Sequence, residues 1–252
     1  MHLYHDAKNA LPEGSRDNPR RAFPTFMWAY IEQKSLADRN DLSQPFYLAP
    51  CSIPNSLEGL CGEAVPIYNC PSDNGTDLTV CYYARRRGCY VVNWGNSRYG
   101  QNPQPAAIAP FSHLNGNRST PRLTSFRDVS DGLSSTLMMS ETLKAHSNDD
   151  NDWRGDIQND DGVFRFHTSV TPNSSVPDII ESGWFQRMDD PLMPAVAGAR
   201  QSQVSAARSR HPGGVNALMC DGAVNFYSND ISLGLWGMLG TMNGSEVISD
   251  EE

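Results

Sequence analysis

The dipeptide Asp221-Gly222, set between two runs that carry apolar residues, constrains the fold of this 252-residue chain more than any other feature. Asp-Gly supplies the positive φ angles of a two-residue type I′ turn, so the pattern predicts a β-hairpin. A two-residue loop places Met219 opposite Val224 and Ala217 opposite Phe226. Side chains alternate between the two faces of a strand. One apolar face is therefore predicted for Val215, Ala217, Met219, Val224 and Phe226.

His211 precedes this hairpin on a Pro-Gly-Gly entry that cannot be the interior of a helix. A histidine with a carboxylate can act as a catalytic or metal-binding pair, and Asp221 is ten residues away. In a hairpin, however, His211 lies at the open end and Asp221 at the turn, roughly 25–30 Å apart at about 3.3 Å per residue. We therefore predict structural roles for the motif residues His211, Gly213, Gly214, Asp221 and Gly222.

Composition narrows the classes of protein to which the chain can belong. A net charge of −9 and a pI near 5.1 disfavour non-specific nucleic-acid binding, which needs a basic surface. The 20 glycines and 17 prolines indicate a folded protein that is rich in loops and short strands. No run approaches the roughly 18 apolar residues that a membrane span needs. We expect no nucleic-acid partner.

The order of the predicted elements favours an α+β fold with a mainly antiparallel sheet. Residues 1–8 are predicted to end a helix with Leu3 and Ala7 on one face, and Pro24 to begin an amphipathic helix over about residues 24–37. Strands are predicted over 65–70, twice within 78–94, over 135–142 and over 163–169, with short helices near 56–61 and 233–239. Helices precede strands without βαβ alternation, which is the order expected of an α+β protein.

Five of the six cysteines lie within 39 residues, and clustering of this kind in a loop-rich stretch suits disulfides in an oxidising compartment. No Cys-x-x-Cys pair is present, so a zinc ribbon is disfavoured. Cys81 and Cys89 are the favoured pair because the short loop between them can close as a hairpin, and Cys51 and Cys61 are further candidates. Six cysteines allow 15 connectivities, and reduced buried thiols are the alternative.

An acidic stretch over residues 148–162 offers many oxygen ligands at short spacing, as a calcium loop requires. It lacks the spacing and the terminal glutamate of an EF-hand. A solvated acidic loop is the alternative, and no cofactor is required by the sequence. The candidate Ca²⁺ ligands are Asp149, Asp150, Asn151, Asp152, Asp156, Asp160 and Asp161.

Tryptophan and serine residues offer two further kinds of candidate site. Trp94, Trp153 and Trp184 could line a carbohydrate-binding face, although tryptophans in loop-rich proteins more often cover small cores. Ser134 or Ser140 could be a nucleophile, but neither has a nucleophile-elbow or Ser-x-x-Lys context. We expect no enzymatic activity.

Several blocks together resemble bacterial prepilin-like proteins of unknown function that end in a His-x9-Asp-Gly motif. The resemblance covers nearly the whole chain, and the blocks are more specific together than singly. They are Leu3-Tyr4-His5-Asp6 with Leu11-Pro12; Tyr30-Ile31-Glu32-Gln33 with Leu36; Cys70-Pro71-Ser72-Asp73; Asn93-Trp94-Gly95-Asn96; Asp128-x-x-Asp131-Gly132-x-Ser134-x-Thr136 with Glu141; and His211 through Gly222 with Gly244-x-Glu246-Val247.

This resemblance implies a pilin-like fold, in which one long N-terminal helix lies against an antiparallel sheet. It makes residues 1–252 a single head, with 1–10 as the remnant of that helix and 11–252 as the globular part. The helix that precedes Met1 in such proteins anchors them in the membrane and then packs into a filament. A cysteine in that preceding part would be the partner of Cys70, which is then unpaired here.

The expected function is accordingly that of an extracytoplasmic structural subunit. Its partners would be other pilin-like subunits or copies of itself, in a type IV pilus-like filament or a type II secretion apparatus. The membrane would be contacted only through the missing helix. A binding module for extracellular carbohydrate or solute is the alternative, and a hydrolase is the third possibility.

Overall fold

A computed structural model describes residues 1–79, 82–148 and 151–244. The α-helices among these residues are α1 (His2–Lys8), α2 (Pro24–Met27), α3 (Lys34–Arg39) and α4 (Leu233–Leu239). The strands are β1 (Ser15–Asp17), β2 (Arg20–Ala22), β3 (Leu78–Thr79), β4 (Arg85–Arg86), β5 (Tyr90–Asn93), β6 (Leu137–Glu141), β7 (Arg165–Phe166), β8 (Asp178–Ile180), β9 (Ala195–Ala197), β10 (Gly214–Met219) and β11 (Val224–Ser228). Short 3-10 helices cover Trp28–Tyr30, Leu60–Gly62, Pro66–Tyr68, Pro105–Ala107, Leu114–Gly116, Phe126–Asp128 and Arg200–Ser202.

The largest sheet has five strands in the order β11-β10-β6-β5-β7. Its pairs are antiparallel except for β5 with β7, which run parallel. Strand pairs β1–β2 and β3–β4 form two small antiparallel ribbons, and β8–β9 forms a parallel one. Few helices, long loops and a mostly antiparallel sheet confirm the predicted α+β class.

The predicted hairpin is present, but its register differs by one residue from the prediction. Leu218 pairs with Val224 and Asn216 with Phe226. Gly222 has a φ of +96°, whereas Asp221 is not left-handed, so the turn is a type I turn followed by a glycine bulge. The N–H of Gly222 donates to the Met219 carbonyl at 3.0 Å, which leaves a three-residue loop. A two-residue type I′ turn was therefore the wrong prediction.

This one-residue shift moves two of the five residues of the predicted apolar face to the other side of the sheet. Val215, Ala217 and Met219 are buried as expected. Val224 and Phe226 instead share the opposite face with Leu218, and they are 65% and 53% exposed. The edge strand β11 therefore presents two large apolar side chains at the surface.

Two predicted elements near the N-terminus are changed by local backbone geometry. The helix expected over 24–37 is broken into α2, a 3-10 turn and α3, because Glu32 adopts a left-handed φ of 62°. The strand expected over 65–70 is instead the 3-10 helix Pro66–Tyr68, which begins at its proline. The helix predicted over 233–239 is confirmed as α4, whose N-cap Ser232 accepts a hydrogen bond from the Leu235 N–H.

The main core joins residues of the sheet with residues of the helical segments before and after it in sequence. Trp28, Leu137, Phe166, Val215 and Trp236 are all fully buried there. Helix α1 packs on the rest of the protein through Met1, Tyr4 and His5 rather than through the predicted Leu3 face, since Leu3 is 65% exposed. Among residues 1–79, 82–148 and 151–244, no helix has the length and apolar character needed to cross a membrane.

Candidate functional site

Three side chains from distant parts of the sequence converge beside the sheet: Cys70, Glu141 and His211. Cys70 lies two residues beyond the 3-10 helix Pro66–Tyr68, where Asp73 N–H closes a turn onto the Cys70 carbonyl. Glu141 is the last residue of the central strand β6, and His211 lies in the turn that leads into β10. These elements belong to three of the sequence blocks described above.

The three donor atoms share one small volume. The His211 Nε2 is 3.0 Å from the Glu141 Oε1 and 3.6 Å from the Cys70 Sγ, and all three atoms lie within 4.8 Å of one another. Both contacts use the same imidazole nitrogen. A nucleophile–histidine–carboxylate relay needs the two different ring nitrogens, one for each partner. The geometry is therefore that of ligands around a common point, and it differs from a proton relay.

Neighbouring backbone groups hold the cluster in this orientation. The Asn216 N–H donates to the Glu141 Oε2 at 2.7 Å, which leaves Oε1 to face His211. The His211 N–H donates to the Ser209 Oγ at 3.1 Å, and that hydroxyl donates to the Gly214 carbonyl. Glu141 and Cys70 are buried, whereas the His211 side chain is 25% exposed. Solvent can therefore reach the cluster from the histidine side.

A mostly apolar cavity of about 530 Å³ reaches the cluster at Glu141. One wall is the face of the sheet that carries Met139, Leu218 and Val224, and the opposite wall comes from the helical N-terminal part of the chain. Tyr90 also lines it, and burial together with the nearby Cys70 and Glu141 raises the pKa of its hydroxyl to about 12. The tyrosine is thus a neutral hydrogen-bonding group at the polar end of an apolar cleft.

The predicted calcium ligands are placed in buried ion pairs. Asp152 pairs with Arg154, Asp156 with Arg85, and Asp160 with Arg20 at 2.8 Å. Each of these carboxylates is almost completely buried.

The remaining members of that predicted set follow the same pattern or fall outside the described residues. Asp161 contacts Arg118 at 3.1 Å and Arg200 at 2.5 Å, and Asn151 accepts from the Trp153 Nε1–H. Asp149 and Asp150 lie outside the described residues. Asp160 and Asp161 share Arg20 and Arg118 as partners. The oxygens of the described carboxylates face guanidinium groups, and their burial excludes the solvated-loop alternative for Asp152, Asp156, Asp160 and Asp161. Calcium binding by this segment stays a prediction.

The five cysteines within the described residues are buried thiols. Cys51 and Cys61 lie in contact, with the Cys61 N–H donating to the Cys51 carbonyl at 2.8 Å. Cys81 lies outside the described residues, so the favoured Cys81–Cys89 pair stays a prediction. The Cys89 thiol itself lies 3.4 Å from Asp73, and burial raises its pKa to about 12.

Of the tryptophans predicted to line a carbohydrate-binding face, Trp94 is buried and Trp184 is exposed. Trp94 is 3% exposed and packs against Tyr99, His113 and Phe164, which makes it a core residue. Trp184 is 69% exposed and Trp153 packs on a small separate cluster. Burial of Trp94 removes one of the three tryptophans predicted to line that face.

The other motif residues have structural roles: their side chains accept hydrogen bonds from backbone N–H groups, or their backbone adopts a positive φ. Asp128 completes a capping box with Ser125, Asp131 accepts from the Gly244 N–H at 2.7 Å, and Asp221 accepts from the Ala223 N–H at 2.9 Å. Gly132 and Gly213 both have positive φ. Glu246 and Val247 lie outside the described residues.

Sequence reasoning missed Cys70 as a member of this site and treated Glu141 and His211 only as structural residues. The sequence did contain a signal, because Cys70, Glu141 and His211 lie in three different blocks of the family resemblance. Their distances along the chain are 71 and 70 residues, and only the folded sheet brings them together.

Comparison with known proteins gives one match. A family model described as a protein of unknown function (DUF1559) matches residues 1–234. No curated protein and no solved structure matches the chain.

Proposed function

The chain belongs to this family of proteins of unknown function (DUF1559), and on that premise we propose that it is the extracytoplasmic head of a pilin-like structural subunit. The family is associated with prepilin-like proteins related to type II secretion. The α+β fold, in which a short helix at the N-terminus is followed in sequence by a mostly antiparallel sheet, is consistent with such a head. Assembly with other subunits would be its mechanism.

One observation carries this proposal: the exposed edge strand β11. It ends the sheet order and pairs only with β10 among the described strands, so its outer backbone groups are free to pair with another chain. Val224 and Phe226 are both more than half exposed on it. Proteins that stay monomeric usually blunt such edges with charge, proline or cover. β11 carries no charged residue, which is the character of a surface that a neighbouring subunit covers.

The cleft described above extends this surface, since Val224 forms part of its lining. A neighbour that docks on β11 can therefore bury apolar side chains into the cleft while it hydrogen-bonds the strand edge. Strand addition of this kind takes affinity from the backbone and specificity from side-chain pockets.

The test is assembly of the native gene product in its own host, observed by electron microscopy and by cross-linking of neighbouring subunits. Val224→Lys with Phe226→Lys places two charges on the edge and is expected to abolish filaments or cross-linked oligomers. The matched control is Leu114→Lys with Leu123→Lys, because those residues are also exposed and apolar but belong to no strand of the sheet. Unchanged assembly of the edge variant, or equal loss in the control, would contradict the proposal.

The cleft also favours a second function, that of a binding module for an apolar small molecule. Its volume of about 530 Å³ is within the roughly 300–1,000 Å³ of ligand pockets. Native mass spectrometry of the purified protein would show a bound apolar compound. Absence of such a compound, with no binding of an apolar fluorescent probe, would count against this function. The shared Nε2 contact of His211 gives no support to a hydrolase.

A further inference from the structure

We propose that Cys70, Glu141 and His211 form a zinc-binding site. Across the part of the chain that the structure describes, they are the one group of three His, Cys, Asp or Glu side chains whose donor atoms converge in this way. The proposal concerns metal binding and does not depend on the assembly function.

The distances between the donor atoms match those of ligands on one zinc ion. Zn–S bonds of about 2.3 Å and Zn–N bonds of about 2.0–2.1 Å place tetrahedral S and N ligands about 3.6 Å apart. The Cys70 Sγ and the His211 Nε2 are 3.6 Å apart. Tetrahedral N and O ligands lie about 3.3 Å apart by the same reasoning, and the His211 Nε2 and Glu141 Oε1 are 3.0 Å apart. A small outward movement of the glutamate accommodates the ion.

The chemistry of the three donors also selects zinc. A thiolate, an imidazole and a carboxylate are its usual ligands, whereas calcium and magnesium take oxygen ligands almost exclusively. The Glu141 Oε2 already accepts a hydrogen bond from the Asn216 N–H, and carboxylates that bind metals are commonly oriented by such a hydrogen bond. The site therefore offers three protein ligands, and the orientation of one of them, Glu141, is already fixed.

Three protein ligands leave a fourth coordination position, and the partly exposed side of His211 allows water to occupy it. The ion would join the turn at Cys70 to the end of β6 and the entry to β10. Segments about 70 residues apart along the chain would then be cross-linked by one metal. Because such a site does not exist in the unfolded chain, binding would stabilise the fold.

The experiment is a titration of the chelator-treated, dialysed full chain with Zn²⁺ against a chromophoric competitor, with metal content measured after dialysis. We expect one zinc ion per chain and a higher melting temperature with zinc than without. Cys70→Ser is expected to weaken binding by more than about 100-fold, since loss of a group that only orients a ligand already costs about 10–100-fold. Cys220→Ser is the matched control, because that thiol is also buried but lies at the hairpin turn, and its affinity should equal that of the parent.

Glu141→Gln keeps the size of the side chain and its hydrogen bond to Asn216, so it tests ligation without removing a packing group. It is expected to retain the thiolate-to-cobalt charge-transfer band of the Co²⁺-substituted protein at a lower affinity. His211→Asn should lose stoichiometric binding while its far-ultraviolet circular dichroism remains that of the folded chain.

Three results would overturn the site. One is failure of the folded parent protein to bind zinc at one ion per chain. Another is equal zinc affinity in the folded Cys70→Ser variant and the parent. The last is recovery of Cys70 from the native protein in a disulfide, because a disulfide sulfur is not a thiolate ligand.

Discussion

At His113, burial and a neighbouring guanidinium act on the same imidazole. The side chain is 2% exposed, and its Nε2 lies 3.2 Å from the Ser15 carbonyl and 3.3 Å from the Ser15 Oγ. Burial first, and then the positive charge of Arg165, lower its pKa to about 4. The imidazole is therefore neutral in the folded protein at every pH above that value.

This shift predicts a specific loss of stability in acid. An unfolded histidine titrates near 6.5, so between pH 6.5 and 4 the unfolded chain binds a proton that the folded chain does not. The free energy of unfolding therefore falls as the pH decreases through this range, by about 2–3 kcal/mol from His113 between pH 7 and 4.5. His113→Gln keeps a donor for the Ser15 carbonyl but does not titrate, and it should remove that part of the dependence. Urea unfolding at both pH values measures it.

The parent protein and His113→Gln also provide a control at higher pH. Between pH 7 and 8 the imidazole is neutral in both the folded and the unfolded chain, so the difference in stability between parent and variant should be constant there. Equal acid slopes below pH 6.5 in the parent and in His113→Gln would show that the imidazole does not carry the effect. Some acid dependence is expected to persist in the variant, since burial also lowers the pKa of His167.

At the scale of elements, the hairpin β10–β11 depends on a close backbone approach at Gly214. A Cβ at this position would lie 2.0 Å from the Tyr227 carbonyl oxygen and 2.7 Å from the Phe226 ring. The carbonyl belongs to the paired strand and cannot rotate away as a side chain can. Any side chain at residue 214 must therefore open the base of the hairpin, next to His211.

Gly214→Ala is accordingly expected to destabilise the protein by about 2–4 kcal/mol, in the range of overpacking and strained substitutions. Gly234→Ala is the matched control, because no atom lies within 4 Å of its Cβ position and it lies in helix α4. That change should stabilise by about 0.5–1 kcal/mol through the lower chain entropy of alanine. Chemical denaturation of both variants measures the contrast, and a neutral Gly214→Ala would refute the close approach.

How far the sequence predicts these elements depends on whether their determinants are local. Helix α4 and strand β6 were predictable because their apolar patterns, Ser232 cap and Asp131-Gly132 turn lie within a few residues. The hairpin was predictable but its register was not. Asp-Gly is compatible both with a two-residue type I′ turn and with a three-residue loop that ends in a glycine bulge. The helix break at Glu32 was not predictable, because glutamate rarely adopts the left-handed conformation that it has here and nothing in the sequence indicates it.

The site was less predictable than the elements, because its contacts are between segments far apart in the sequence. The acidic residues of the segment 152–161 are typical of an exposed ion-binding loop. Asp156, Asp160 and Asp161, however, pair with arginines from outside that segment, namely Arg20, Arg85, Arg118 and Arg200. Likewise, no local rule connects Cys70 with Glu141 and His211. Composition identifies the ligand types, and only the three-dimensional fold decides which of them meet.

At the scale of the whole molecule, one pair of cysteines provides a test of the proposed extracytoplasmic location. Cys51 and Cys61 are both buried and in contact, and the Arg21 Nη1 lies 3.6 Å from the Cys51 Sγ. A hydrogen bond from Cys61 and the charge of Arg21 lower the pKa of the Cys51 thiol to about 7. The thiolate is the form that reacts in thiol–disulfide exchange. This pair is therefore expected to form a disulfide where an oxidant is present.

The proposed extracytoplasmic location therefore predicts a Cys51–Cys61 disulfide in the protein taken from its native compartment. Closing a loop of this length is expected to stabilise the fold by about 3 kcal/mol relative to the reduced chain. Alkylation of free thiols before lysis, followed by peptide mass spectrometry, would recover residues 51 and 61 as one cross-linked species. Cys51→Ser should melt at the temperature of the reduced parent, whether or not a reductant is added. Alkylated Cys51 and Cys61 in protein from the native host would contradict the disulfide and would weigh against an oxidising compartment.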